Sequence, residues 1–130
     1  MPDLRQGRDR SLKRRVVMDQ VFAHGHTAKG FPMLVRFLEV TPDGPVASRV
    51  AFTASKRRFR RAVDRNRIKR LMRESWRLHR SILEQDIPAG KQWAVVLIFV
   101  GRDLPTAQEV EKGMVKLLQR MVSASSEQQA

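Results

Sequence analysis

The sequence predicts an α+β fold, a two-layer α-β sandwich with its elements in the order α-β-β-α-β-α. Three observations predict it. Apolar residues recur at helical spacing in three separate segments, opening near Lys13, Arg61 and Thr106. Strand-like runs lie between and beside them, at 33–40 (MLVRFLEV), 49–55 (RVAFTAS) and 92–100 (QWAVVLIFV). Proline and glycine clusters separate these runs rather than interrupt them. A chain of 130 residues, 42% of them hydrophobic, makes one domain with enough apolar material for a core.

Residues 1–12 are polar and charged without periodicity, and are expected to form a flexible basic segment ahead of a single domain at 13–122. They contain no apolar stretch of the kind a secretory signal requires. The first helix runs from Lys13, with Val17, Met18, Val21 and Phe22 as its apolar stripe and Gly25 as a left-handed stop. The strands at 33–40 and 49–55 are joined by the turn chemistry of Thr41-Pro-Asp-Gly-Pro. They are expected to pair antiparallel, with Val50, Phe52 and Ala54 on one side. A long helix follows from about 61 to 83. Pro88-Ala-Gly90 then leads into the strand at 92–100, which is apolar on both sides and so belongs in a sheet interior. Thr106 and Glu109 form a capping box for a last helix that aligns Val110, Met114, Leu117, Leu118 and Met121. Residues 123–130 are expected to be a disordered tail.

Charge is concentrated in one element. Residues 55–80 (SKRRFRRAVDRNRIKRLMRESWRLHR) hold 12 of the 26 Lys and Arg residues against Asp64 and Glu74, so they carry +10 of the net +13. Ile68, Leu71, Met72, Ser75, His79 and Ile82 share one face of this helix. Asn66, Lys69, Arg70, Arg73, Arg77 and Arg80 fall on the opposite face. A merely solvated helix mixes charge signs, whereas like charges one turn apart cost about a few tenths of a kcal/mol each. Arginine predominates over lysine, which suits bidentate phosphate contacts and stacking on bases. The implied partner is nucleic acid.

Other chemistries find no support. The chain lacks cysteine, which excludes disulfides, thiolate catalysis and zinc sites that need sulfur. His24 and His26 flank Gly25 in a predicted loop, His79 reads as a histidine at the core edge, and no His/Asp/Glu cluster has ligand spacing. No metal site and no protein-bound cofactor are therefore expected. Ser55 and Ser75 have no adjacent base, the acidic residues are scattered, and no glycine-rich phosphate loop occurs. The longest apolar run, Trp93 to Val100, is too short to cross a bilayer, so a cytoplasmic protein without a membrane partner is expected. If this chain takes part in catalysis, its own side chains are not expected to perform the chemistry. Met18 and Phe22, one helical turn apart, admit two readings: core packing, or a groove beside Arg36 where unpaired nucleotides stack.

The run RNRIKRLMRES at 65–75 resembles the signature of the bacterial ribonuclease P protein subunit. Leu12-Lys13-Arg14, Val21-Phe22-Ala23-His24-Gly25 and Ala54-Ser55-Lys56-Arg57 resemble further family elements in the right order, over about residues 11–122. Members bind a large catalytic RNA and the single-stranded 5′ leader of precursor tRNA, and the holoenzyme removes that leader. The resemblance implies that the active site lies in the RNA subunit, that Mg2+ is bound mainly there, and that no obligate protein partner is needed. It implies RNA contacts for Arg65, Asn66, Arg67, Lys69, Arg70 and Arg73, and backbone contacts for Lys56 and Arg57 where the helix begins. Arg60, Arg61 and Arg77 complete the implied RNA-binding set. It implies a leader cleft between the first helix and the sheet, touching Met18, Phe22 and Arg36. Met18 stands where many relatives have an aromatic residue, and Arg36 where some have tyrosine. The resemblance also implies a left-handed β-α-β crossover, against the general right-handed rule.

Three rival functions remain on sequence grounds. A ribosomal or other structural RNA-binding protein shares the size and charge, and is separated by requiring the chain for precursor tRNA cleavage at low magnesium. A DNA-reading regulator would carry more base-reading polar residues on the helix and a helix-turn-helix setting. A protein nuclease would need the carboxylate cluster that is missing.

Overall fold

The computed structural model describes residue 12 and residues 15–129, with side chains through residue 124. In order, the elements are α1 (Arg15–His24), β1 (His26–Gly30), β2 (Met33–Val40), β3 (Ser48–Ala54), α2 (Ala62–His79), α3 (Ser81–Glu84), β4 (Gln92–Phe99) and α4 (Ala107–Gln129). The fold is mixed α+β, as predicted, with the short β1 and the four-residue α3 added to the expected elements. The predicted start at Lys13 lies outside the described residues, as does the flexible segment up to residue 11. Leu12 is buried, and its N–H donates to Val50 O at 3.0 Å.

The four strands form one sheet in the order β1-β2-β4-β3. β4 pairs antiparallel with β2 (Met33 opposite Phe99, Phe37 opposite Val95) and parallel with β3 (Val50 beside Val95). The expected antiparallel pairing of 33–40 with 49–55 is therefore corrected: β4 lies between them. β4 is apolar on both faces and its two edges both carry backbone groups that need partners, so the centre of the sheet satisfies it best. Pro42 and Pro45 in the connection also exclude a tight hairpin that would hold the two strands together. The parallel pair β3 and β4 is joined through α2, a β-α-β crossover between neighbouring strands.

Two cores sit on the two faces of this sheet. On one face, Val35, Phe37, Trp93, Val95, Leu97 and Phe99 meet Ile68, Met72 and Trp76 of α2, Leu83 of α3, and the stripe of α4. Phe37 stacks on Trp93 with ring centroids 5.0 Å apart. On the other face, Ala94 and Val96 meet Val21 of α1 and Leu12, with Val17, Met18 and Leu38 packed around them. All five predicted core residues of α4 are fully buried, worth about 1.5–3 kcal/mol for each large side chain. Its capping box forms as expected: Thr106 Oγ1 accepts from the Glu109 N–H at 3.2 Å, and Glu109 Oε1 accepts from the Thr106 N–H at 3.4 Å.

α4 continues to Gln129, through the segment expected to be a disordered tail. Residues 123–129 (SASSEQQ) contain neither glycine nor proline to stop a helix, and Ala124 still packs on the core. Gly25 does not act as a left-handed stop, since positive φ occurs only at Gly44 and Gly90 among the described residues. Its role is close approach: a Cβ there would collide with Val21 O and lie 3.0 Å from Phe37 O. His24 and His26 are not in a loop either, for they end α1 and begin β1. α4 packs so close to β1 that Gly30 and Gly113 face each other, leaving no room for a side chain at either position.

Candidate nucleic-acid interface

The basic segment folds as a turn at 55–60, a capless entry at Arg61, and α2. Ile68, Met72, Ser75 and Trp76 are its buried residues, so the spine of the buried face follows i, i+4 steps to Trp76. Leu71 lies at the margin of that face, and so does His79, as expected of a histidine at the core edge, its Nε2 3.2 Å from Glu111 of α4. Arg80, expected on the outer face, is buried at 2% exposure. Its Nε lies 3.4 Å from Glu84 Oε1, and its backbone closes α2 and opens α3. The helix ends one turn earlier than predicted, and this break turns Arg80 inward.

The remaining cations stay outside. Lys56, Arg57, Arg60, Arg61, Arg67 and Arg70 have no hydrogen-bonding or ion-pair partner for their side chains among the described residues; Lys56, Arg57 and Arg60 lie in the preceding turn, Arg61 at the helix entry, and Arg67 and Arg70 in the first half of α2. Asn66, Arg67, Arg70 and Arg73 line one shallow depression together with Val63. Arg73 lies over the Phe52 ring, 5.6 Å from its centroid, which anchors its guanidinium beside β3. Lys69 is half-buried on the flank. At the helix start no side chain caps the first N–H groups, so their partial positive charge adds to the cationic field.

Two members of the predicted set are committed to the protein itself. Arg65 Nη1 donates to Phe59 O at 2.7 Å and Arg60 O at 2.9 Å, tying the turn to the helix. Arg77 is bonded to Glu74, and that bond holds the Glu74 carboxyl below the usual carboxylate range and raises Arg77. Arg58, which sequence reasoning did not single out, donates to Val100 O at 2.6 Å and joins the turn to the end of β4.

At the predicted cleft, Phe22 is 45% exposed and belongs to neither core, whereas Met18 packs partly onto the second one. Arg36 does something the sequence did not reveal. Its Nη2 donates to Phe22 O at 2.8 Å and Gly25 O at 3.1 Å, with Val21 O at 3.4 Å, while Nη1 donates to Thr27 Oγ1 at 2.8 Å. A strand residue thus satisfies the orphan carbonyls of the α1 C-terminus, where a cation is also favoured by the helix dipole. Among the described residues, no three His, Asp or Glu side chains converge as metal ligands, and no helix is long and apolar enough to cross a membrane.

Known proteins share both sequence and fold with this chain. A family model for ribonuclease P matches residues 7–122. A ribonuclease P protein component from Porphyromonas gingivalis is 33% identical over 105 residues, covering 80% of this chain and 77% of that protein. One from Chlorobaculum tepidum is 44% identical over 93 residues, covering 65% and 59%. The structure of the RNase P protein from Thermotoga maritima shares the fold with a TM-score of 0.67 at 22% identity, over 85% of this chain and 96% of that one. That from Staphylococcus aureus gives 0.65 at 19% identity, over 86% and 94%. The chain belongs to the ribonuclease P protein family, the protein component of an RNA-cleaving enzyme.

Proposed function

We propose that the chain binds the catalytic RNA of ribonuclease P through α2 and its preceding turn, holds the 5′ leader of precursor tRNA along α1, and so promotes removal of that leader. The carrying observation is the set of exposed, unpartnered guanidinium and ammonium groups from Lys56 to Arg70, mounted on a helix whose other side is locked into the core. Such groups bind phosphate strongly, and each one that neutralises a phosphate releases a condensed counterion. Guanidinium and ammonium groups are hydrogen-bond donors with no acceptor, so they offer nothing that could take a proton from water. Hydrolysis is accordingly assigned to the RNA.

Magnesium belongs with the RNA in this reading. The basic segment offers Asp64 and Glu74 as its only carboxylates, and Glu74 is already bonded to Arg77, so the residues there do not fit a divalent cation. The protein's contribution is charge and position: cations spread along α2 reduce repulsion between crowded phosphates, and α1 with its exposed Phe22 borders the path of the leader. The test is reconstitution with a bacterial ribonuclease P RNA. The mixture should cleave precursor tRNA at its 5′ end at a magnesium concentration where the RNA alone is slow. Protein freed of RNA should cleave nothing, and cleavage by it would overturn the division of labour.

A further inference from the structure

We infer that the end of the sheet where β3 and β4 finish carries an additional RNA contact, a platform on Phe31 that stacks one unpaired base. The inference rests on the RNA-binding reading above and adds a site to it. Phe31 occupies the two-residue turn between β1 and β2 and is 76% exposed, the most exposed large apolar side chain among the described residues. Its backbone is nevertheless anchored. Pro32 is buried beside it, and α4 approaches so closely that a Cβ at Gly113 would meet Phe31 C at 3.0 Å. With the backbone fixed, only the side-chain torsions of the ring remain to be ordered on binding.

The neighbours of the ring indicate which partner. The Val100 N–H donates to Pro32 O at 2.9 Å, so Val100, itself 36% exposed, widens the apolar surface. The carbonyl of Val100 accepts from Arg58 Nη1 at 2.6 Å, which fixes a guanidinium at the end of β4. Arg58 belongs to the same turn as Lys56 and Arg57, so the platform continues directly into the proposed RNA face. Ala54 and Phe99 are register partners at the carboxyl ends of the parallel strands, the position beyond which open sheets with crossover helices commonly bind ligands. An exposed apolar ring with a guanidinium fixed at the adjoining end of β4 is an arrangement suited to a base and its phosphate.

The base has two possible sources, the RNA subunit or the precursor tRNA leader, and the experiment separates them. Phe31→Ala should fold with an unchanged melting temperature, since the ring is mostly in water. It should weaken either binding of the RNA subunit, or binding of leader-bearing precursor tRNA to the holoenzyme relative to mature tRNA, by roughly five- to a hundred-fold. Phe31→Trp should retain affinity, and its fluorescence should be quenched by the RNA that supplies the base. Trp76 and Trp93, 1% and 3% exposed, provide a constant background. Wild-type affinity of Phe31→Ala for both RNAs would overturn the inference while leaving the proposed function standing. So would fluorescence of Phe31→Trp unchanged at saturating RNA, or a defect confined to protein self-association. Failure of the wild-type protein to bind the RNA subunit would remove the proposed function and this inference together.

Discussion

Replacing Arg36 by methionine isolates the interaction that fastens α1 to the sheet. Methionine keeps most of the aliphatic stem but removes donors to Phe22 O, Gly25 O and Thr27 Oγ1, all within 3.1 Å. At about 0.5–1.5 kcal/mol net for each bond, the loss is about 2–4 kcal/mol, and the longer bond to Val21 O adds little. Against a total of about 5–15 kcal/mol that is a substantial fraction. For a domain of this size it should lower the melting temperature by about 10 °C. Function should respond unevenly. α1 lies on the opposite face of the sheet from α2, so affinity for leader-bearing precursor tRNA should fall more than affinity for the RNA subunit. Arg36→Lys, which keeps one charged donor, should recover part of both losses. Thermal unfolding followed by circular dichroism, with the two affinities measured on the same preparations, decides the matter. A melting temperature within about 2 °C of wild type would refute the clamp, and an equal fall in both affinities would refute its link to the cleft.

Further perturbations separate the remaining roles. Phe22→Ala should keep most of its stability, because Phe22 is 45% exposed, and should lose about 1–3 kcal/mol of leader affinity while mature tRNA binding is unchanged. Loss of both tRNA affinities equally would move the cleft elsewhere. Arg65→Ala should lower stability by about 1–3 kcal/mol through its bonds to Phe59 O and Arg60 O, whereas Arg67→Ala should leave the melting temperature unchanged. Equal stabilities would show that the Arg65 bonds are not maintained in solution. Gly30→Ala should destabilise by at least about 1–3 kcal/mol, since its Cβ would lie 2.7 Å from Leu117 Cβ and also strike the backbone of α4. A neutral effect by calorimetry would contradict the close approach of α4 to β1.

What the sequence revealed depended on whether the signal was local. α4 was legible because a capping box and a five-residue stripe lie within one segment, and β4 because apolarity on both faces means a central strand. The pairing of β4 between β2 and β3 was not, because sheet order depends on which strand most needs two neighbours, not on chain order. β1 escaped notice because HTAKG turns only Ala28 and Gly30 inward, leaving no apolar alternation. Trp76 was missed from the stripe since α2 packs against both the sheet and α4, which widens its buried arc beyond one narrow face. The cationic face of α2 was plain from charge alone. The structural uses of Arg36, Arg58, Arg65 and Arg80 were hidden, because an arginine bonded within the protein reads in sequence like one that waits for phosphate.

The claim that α2 is the RNA surface is tested most directly by the salt dependence of affinity for the ribonuclease P RNA. Wild-type protein should show a steep linear fall of log K with log salt. Arg67→Ala combined with Arg70→Ala removes two exposed cations whose side chains hydrogen-bond to no other described residue. The double variant should fold as wild type, bind more weakly, and show a slope shallower by about one unit for each phosphate left without its cation. A slope identical to wild type in a fully folded double variant would contradict the account, because it would place the RNA on another face.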